Sequence, residues 1–264
     1  MKPAGRVRAR EALLVLRRFP YGESSLVLHG LTEHHGRLAL LAKGAYRPSS
    51  GYFAVFDLFD SLQVSFGAAR GEGLALVTAA EVRVRRPVLA HDLARYRAGC
   101  ALLELAHLAG REGTAEPGLF RWLEDGLDLL ANGAVPVELA SVHGDLALLA
   151  VTGLEPALVH CASCGARAGA EREVAFAPAL GGRLCARCAL EARARGRALE
   201  FQPAALLRIA ASLRQATPAT LAHTHLPAPA LARLRAFVGR FLEYHLETRL
   251  RSRRAPTTAP TGSA

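Results

Sequence analysis

Residues 11–50, EALLVLRRFPYGESSLVLHGLTEHHGRLALLAKGAYRPSS, decide how the chain begins to fold. Three short apolar runs lie in this stretch. Val15-Leu16 closes the first, Leu26-Val27-Leu28 forms the second, and Leu38 to Leu41 the third. Pro20-Tyr21-Gly22 and His35-Gly36 separate them. Apolar runs this short, bounded by Pro and Gly, read as strands of a small all-β unit rather than as helices. Cations stand at the ends of the runs: Arg17, Arg18, Arg37, Lys43 and Arg47.

Downstream, Ser61-Leu62-Gln63-Val64-Ser65-Phe66 alternates polar and apolar, the pattern of a half-buried strand. Gly67 to Gly73 supplies a turn, and Leu74 to Val84 reads as a closing strand. Five strands with Gly-containing connections fit a small closed barrel over residues 1–85, behind a frayed basic lead-in at 1–9. A barrel with cations on its rim and loops is the physical description of a nucleic-acid-binding OB-fold.

Composition narrows the partner. The chain has 264 residues, half of them hydrophobic, enough for a substantial core and for two domains. Its net charge is +10 and its pI about 10.1, which favours a polyanionic partner. Residues 1–90 hold 13 Lys and Arg against 7 Asp and Glu, a net +6; the rest holds 20 against 16, a net +4. The basic excess is therefore densest where the barrel is expected. The first apolar run is too short for the core of a signal peptide and is followed by Arg17-Arg18, and no run approaches a membrane-spanning length. The expectation is a cytoplasmic protein with no membrane partner.

After Arg86-Pro87 the texture becomes helical, and an α-helical domain is expected over residues 86–250. Asp92 reads as an N-cap, with Leu93, Tyr96, Cys100, Leu103 and His107 following at spacings of three and four. Pro117 opens a second helix that Asn132-Gly133 stops, and residues 136–152 read as a third. Leu199 to Gln215 reads as another helix, and Pro229 starts a last long one. Cys100 and the single tryptophan, Trp122, read as packing. Residues 251–264, RSRRAPTTAPTGSA, read as a disordered tail.

Inserted among the helices, residues 159–190 carry Cys161, Cys164, Cys185 and Cys188 in the spacing C-x2-C-x20-C-x2-C. Each pair places two thiolates on one tight turn, and two such knuckles make the tetrahedral four-sulfur site that zinc accepts. Two disulfides or a redox Cys-x-x-Cys pair are the alternatives. A cytoplasmic setting argues against the first, and the lack of a thioredoxin-like βαβ pattern against the second. Four sulfur ligands leave no open coordination position, so a Zn2+ ion there is expected to be structural. His160 is a less favoured fifth candidate ligand.

Catalytic patterns are missing from the sequence. It contains no phosphate-binding G-x-x-x-x-G-K-[ST], no G-x-G-x-x-G after a strand, no G-x-S-x-G and no H-E-x-x-H. The reading is a binding protein and not an enzyme.

The pieces ALLVLRRFPYGESSLVL, LTEHHGRL and LLAKGAYRPSS, then LFDSLQVSF, a helical region and the four-cysteine module, resemble in that order the bacterial DNA repair and recombination mediator family RecO. The likeness runs over roughly residues 10–250. It implies an α+β architecture: an N-terminal OB-fold β-barrel followed by an α-helical domain with the zinc module inserted. It implies binding of single- and double-stranded DNA, annealing of complementary strands, and a cytoplasmic, nucleoid-associated place of work. It further implies action with RecR, in some cases RecF, to load RecA onto strands covered by single-strand-binding protein. The acidic C-terminal tail of that protein is expected to meet the helical domain, with the helix at 231–249 supplying the groove. Candidate DNA-binding residues are Arg17, Arg18, Arg37, Lys43 and Arg47 for phosphates, and Tyr21 and Tyr46 for stacking on bases. One departure is visible: the family usually has a second cation after the Lys-Gly-Ala step, where this chain has Tyr46. The alternative is a zinc-containing OB-fold RNA-binding protein, for which the same basic barrel would serve; a scaffold with incidental charge is the third reading.

Overall fold

Alternation of inward and outward side chains closes the N-terminal segment into a five-stranded barrel. The computed structural model describes residues 8–52, 54–67, 74–167, 169 and 171–253. The strands are β1 (Arg8–Tyr21), β2 (Ser25–Thr32), β3 (Gly36–Ala42), β4 (Ser61–Gly67) and β5 (Ala75–Val84). They close in the order β1-β2-β3-β5-β4, with β3 and β5 parallel and the other pairs antiparallel. That OB-like arrangement encloses a core of Leu13, Val15, Leu26, Leu28, Leu40, Leu62, Val64 and Phe66 with smaller neighbours. The expected strands are all present, but β1 runs through Pro20 to Tyr21, and the turn falls at residues 22–24. Most of the expected 67–73 turn and of the lead-in lies outside the described residues.

A bulge sets what the outer face of the barrel presents. Before it, Leu13 and Val15 point into the barrel. The register then slips between Val15 and Arg17, so Val15 lies opposite Gly30 while Arg17 lies opposite His29. Because side chains alternate with a period of two, the extra residue, Leu16, reverses the sense of everything after it. Arg17, Phe19 and Tyr21 consequently share the outward face with Val27 and His29 of β2 and with Arg37 and Leu41 of β3.

Part of that outward face is covered by helices. These are α1 (Pro87–His91), α2 (Leu93–Ala109), α3 (Pro117–Ala131), α4 (Val137–Val151), α5 (Ala186–Ala194), α6 (Ala204–Arg214), α7 (Pro218–Ala222) and α8 (Ala228–His245). Asp92 caps α2 by accepting from the Arg95 N–H at 2.8 Å, as its position suggests. Leu14, Leu16 and Leu31 leave the barrel core and join the helical core around α2, α3 and α4. Each fully buried leucine contributes about 2 kcal/mol, so the barrel and the helices share one apolar interior at this contact. Trp122 is buried in the same core, donating Nε1–H to the Gly144 carbonyl at 2.8 Å.

Polar groups lock the junction. The Arg86 side chain, 1% exposed, donates to Asp128 Oδ1 at 2.6 Å, the Phe59 carbonyl at 2.7 Å and Ser61 Oγ at 3.0 Å. Buried Asp60 accepts from the Arg86 backbone N–H at 3.0 Å and from Arg85 at 3.1 Å. Gly36 sits at φ +62°, so close to the loop after α2 that a Cβ would collide with the Thr114 carbonyl.

Two expectations change here. Residues 199–203 do not continue into a helix. Glu200–Pro203 form strand β8, which pairs with β6 (Glu173–Ala177), and β6 pairs in turn with β7 (Gly182–Leu184). The cysteine module therefore contains a three-stranded sheet and α5, and extends beyond residue 190; its short strands lack the length that makes a period legible. The expected disordered tail is corrected at its start. Arg251–Arg253 form a 3₁₀ turn against α2 and α4, where the Ser252 N–H and hydroxyl donate to Glu104 and Arg253 pairs with buried Asp145. Residues 254–264 lie outside the described residues.

Candidate nucleic-acid interface and metal centre

The uncovered part of the outward face carries aromatics beside cations. Phe19, Tyr21 and Tyr46 are 45%, 58% and 48% exposed. The loop after β3 is clamped onto the β1–β2 turn: the Tyr46 N–H donates to the Ser24 carbonyl at 2.9 Å, and Arg47 Nε–H to Ser24 Oγ at 3.4 Å. Tyr21, Lys43, Tyr46 and Arg47 are thus gathered at one end of the barrel. Lys43 and Arg17 are exposed and have no hydrogen-bond or ion-pair partner among the described residues. Flat rings between unpaired cations suit a single strand, whose bases stack and whose phosphates need charge.

The other sequence candidates sit differently. Arg18 donates to Asp57 Oδ1 at 2.7 Å and to the Phe56 carbonyl at 3.1 Å, across the barrel end. Arg37 donates to the His107 carbonyl of α2 at 2.7 Å, while its backbone N–H donates to the Arg111 carbonyl at 3.0 Å. Arg37 therefore stands where the helices begin to cover the barrel. His29 lies beside it, its ring 6.0 Å from that of His107 and nearly parallel to it. Burial and the Arg17 and Arg37 charges hold the His29 imidazole below its ordinary range. The same causes, with His29 itself, bring His107 down to about 4.

The four-cysteine cluster assembles from two turns. Cys161 and Cys164 flank a tight turn that ends at Gly165, φ +72°. Cys185 stands at the N-cap position of α5, and Cys188 lies in its first turn. The four Sγ atoms lie within 4.8 Å of one another, and Cys164 and Cys185 are 3.8 Å apart. Four sulfurs about 2.3 Å from a central zinc would be separated by about 3.8 Å, so the residues fit a tetrahedral metal. All five cysteines of the chain are free thiols in this arrangement. Burial opposes the Cys161 thiolate, but N–H groups of Cys185, Cys164 and Ser163 outweigh it and bring Cys161 down to about 6. A hydrogen bond with Cys185 and burial push Cys188 up to about 12. Four thiolates in such proximity require a cation to coexist, which is the service a divalent ion performs.

Comparison with known families sets these two sites in one protein type. Residues 8–84 match the family model described as recombination protein O N terminal, and residues 90–254 match recombination protein O C terminal. The chain belongs to the RecO family. It is 34% identical over 179 residues to the DNA repair protein RecO of Exiguobacterium sibiricum, an alignment covering 66% of this chain and 68% of that one. DNA repair is accordingly the setting of this RecO chain, and its barrel face and cysteine cluster fall in the N- and C-terminal parts respectively. No helix among the described residues is long and apolar enough to cross a membrane.

Two residues of the RecO barrel face escaped the sequence reading, Phe19 and His29. Phe19 lies between Arg18 and Pro20, beyond the first apolar run, and no motif singles it out. Only the bulge, which no composition signals, turns it outward.

Proposed function

We propose that this RecO chain binds single- and double-stranded DNA, anneals complementary strands, and acts with RecR, and in some settings RecF, to help RecA load onto strands covered by single-strand-binding protein. The observation that carries the reading is the exposed face on which Phe19, Tyr21 and Tyr46 alternate with Arg17, Lys43 and Arg47. Two strands repel because both are polyanions. Cations on a barrel face lower that repulsion and release counterions, and no bond chemistry is needed. We assign the acidic tail of single-strand-binding protein to the cleft of about 750 Å³ between α2, α4 and α8, where Arg97 and Arg235 stand beside Leu102 and Val142, while Arg240 and Arg253 are already paired with Glu200 and Asp145. The cysteine cluster holds a structural Zn2+, the barrel and helical body divide between Val84 and Pro87, and the chain works at the nucleoid.

Annealing of two complementary oligonucleotides, naked and then coated with the cognate single-strand-binding protein, tests the reading. Acceleration in both cases, lost at high salt, is expected. Tight binding without annealing, or a preference for structured RNA, would move the chain to the RNA-binding alternative. For the metal, the protein as purified is expected to contain one zinc per chain, and Cys161→Ser/Cys164→Ser to loosen residues 158–203 in amide exchange while leaving β1–β5 protected. Metal-free protein with the same exchange pattern would remove the structural ion.

A further inference from the structure

The aromatic face of the barrel continues onto the helices. The edge of Phe19 meets His29 at 5.5 Å and 67°, and His29 stacks on His107 of α2 at 6.0 Å and 20°. Behind the pair, Arg37 Nη1 lies 3.3 and 3.4 Å from the two ring nitrogens of His107. A guanidinium is charged and has only donors, so its approach to both ring nitrogens disfavours a second proton on His107. In front, Arg17 lies opposite His29 across the β1–β2 pair, exposed and unpaired among the described residues. Two acids face the group, Glu104 and Glu112. Glu104 is already engaged, accepting from the Ser252 N–H at 2.8 Å, the Ser252 hydroxyl at 2.6 Å and the Arg251 N–H at 2.9 Å. The seam between β2 and α2 thus gathers two arginines and two half-buried imidazoles near Glu112, whose carboxylate has no hydrogen-bond or ion-pair partner among the described residues.

We propose that this seam is a phosphodiester subsite: Arg17, His29 and His107 grip one phosphate of a bound strand while a neighbouring base stacks on Phe19. Arg37, tied to the His107 carbonyl, is a positioning residue. The inference rests on the DNA-binding reading and locates where the strand leaves the barrel for the helical body. It carries a signature that a plain arginine patch lacks. A phosphate opposes the like charges and the burial that keep the imidazoles neutral, so binding draws a proton onto the pair. The bound state then holds more protons than the free state, and affinity rises as pH falls from 8 to 6.

Fluorescence anisotropy with a Cy3-labelled oligothymidine, at constant ionic strength and with the full chain, tests this. Wild type is expected to bind about five- to tenfold tighter at pH 6 than at pH 8. The double variant His29→Gln/His107→Gln is expected to lose most of that gradient. Arg17→Ala is expected to weaken binding at every pH and to lower the salt slope by about 0.7. Calorimetry at pH 6.5 in two buffers of different ionisation heat reads the proton uptake directly, present in wild type and absent in the double variant. Should His107→Gln disturb folding, His29→Gln alone is expected to lose about half of the gradient. An unchanged gradient in the histidine variants together with an unchanged slope in Arg17→Ala overturns the subsite and leaves barrel binding intact. Failure of wild type to bind at any pH overturns the subsite and the DNA-binding reading with it.

Discussion

At the covered end of the barrel, arginines are tied to acceptors of the chain itself, although Arg86 Nη2 is buried without one among the described residues. Arg86 is enclosed by Asp128, Phe59 and Ser61, and Arg37 by the His107 carbonyl. On the uncovered face, Lys43 at the hairpin end and Arg17 farther back along β1 face solvent beside three exposed rings. The same charge serves cohesion in one place and is left to solvent in the other, and the difference lies in which carbonyls and carboxylates the fold has placed nearby. Net charge identifies a polyanion binder; only the local partners tell which cations are free to meet it.

That contrast can be broken experimentally, most forcefully at Arg86. Arg86→Ala leaves Asp128, the Phe59 carbonyl and Ser61 Oγ without their donor, and is expected to lower stability by about 3 kcal/mol in urea unfolding. A loss within about 0.5 kcal/mol would mean that the apolar contact of Leu14, Leu16 and Leu31 alone fastens barrel to helices. Arg37→Ala removes one charged hydrogen bond and is expected to lower stability by about 2 kcal/mol, placing it between the two ends.

Glu104 sharpens the contrast from the acidic side. Burial pushes its carboxyl up, but the Ser252 hydroxyl and the N–H groups of Ser252 and Arg251 outweigh that and hold it below its ordinary range. Its contribution is therefore present above the ordinary carboxylate range and lost as pH falls through the lowered value. Glu104→Gln is expected to be about 1 kcal/mol less stable than wild type at pH 7, with the gap closing below about pH 4. A gap that persisted unchanged in acid would mean that the carboxylate charge has no part in holding the C-terminal turn. Smallest in stability is Lys43→Ala/Arg47→Ala, expected to shift unfolding by less than about 0.5 kcal/mol while lowering the salt slope for single strands by about 0.7 per contact. A stability loss as large as that of Arg37→Ala would erase the distinction between the two ends.

Much of the barrel was legible because strands and helices print different periods. Ser61 to Phe66 alternates and is β4; Pro117 and Asn132 bracket α3. The cysteine cluster was legible because two Cys-x-x-Cys turns announce their own geometry. The sheet β6–β8 was not, since strands of three to five residues are too short for a period to emerge. Sequence also grouped Arg18 and Arg37 with Lys43, for burial and carbonyl partners are properties of the folded chain. The histidine pair was invisible for the same reason: His29 and His107 stand 78 positions apart in the sequence.

The single extra residue in β1 also constrains how this chain can vary over generations. Substitutions along β1 change one contact each, but a deletion at Leu16 would remove the bulge and with it the leucine that reaches from β1 into the helical core, leaving Arg17 and Phe19 on the outer face of a barrel less firmly fastened to the helices. Length in this strand is therefore inherited more strictly than composition. Members of the lineage that gain or lose residues are expected to do so in the connecting loops, leaving the span from Leu13 to Tyr21 at a constant count.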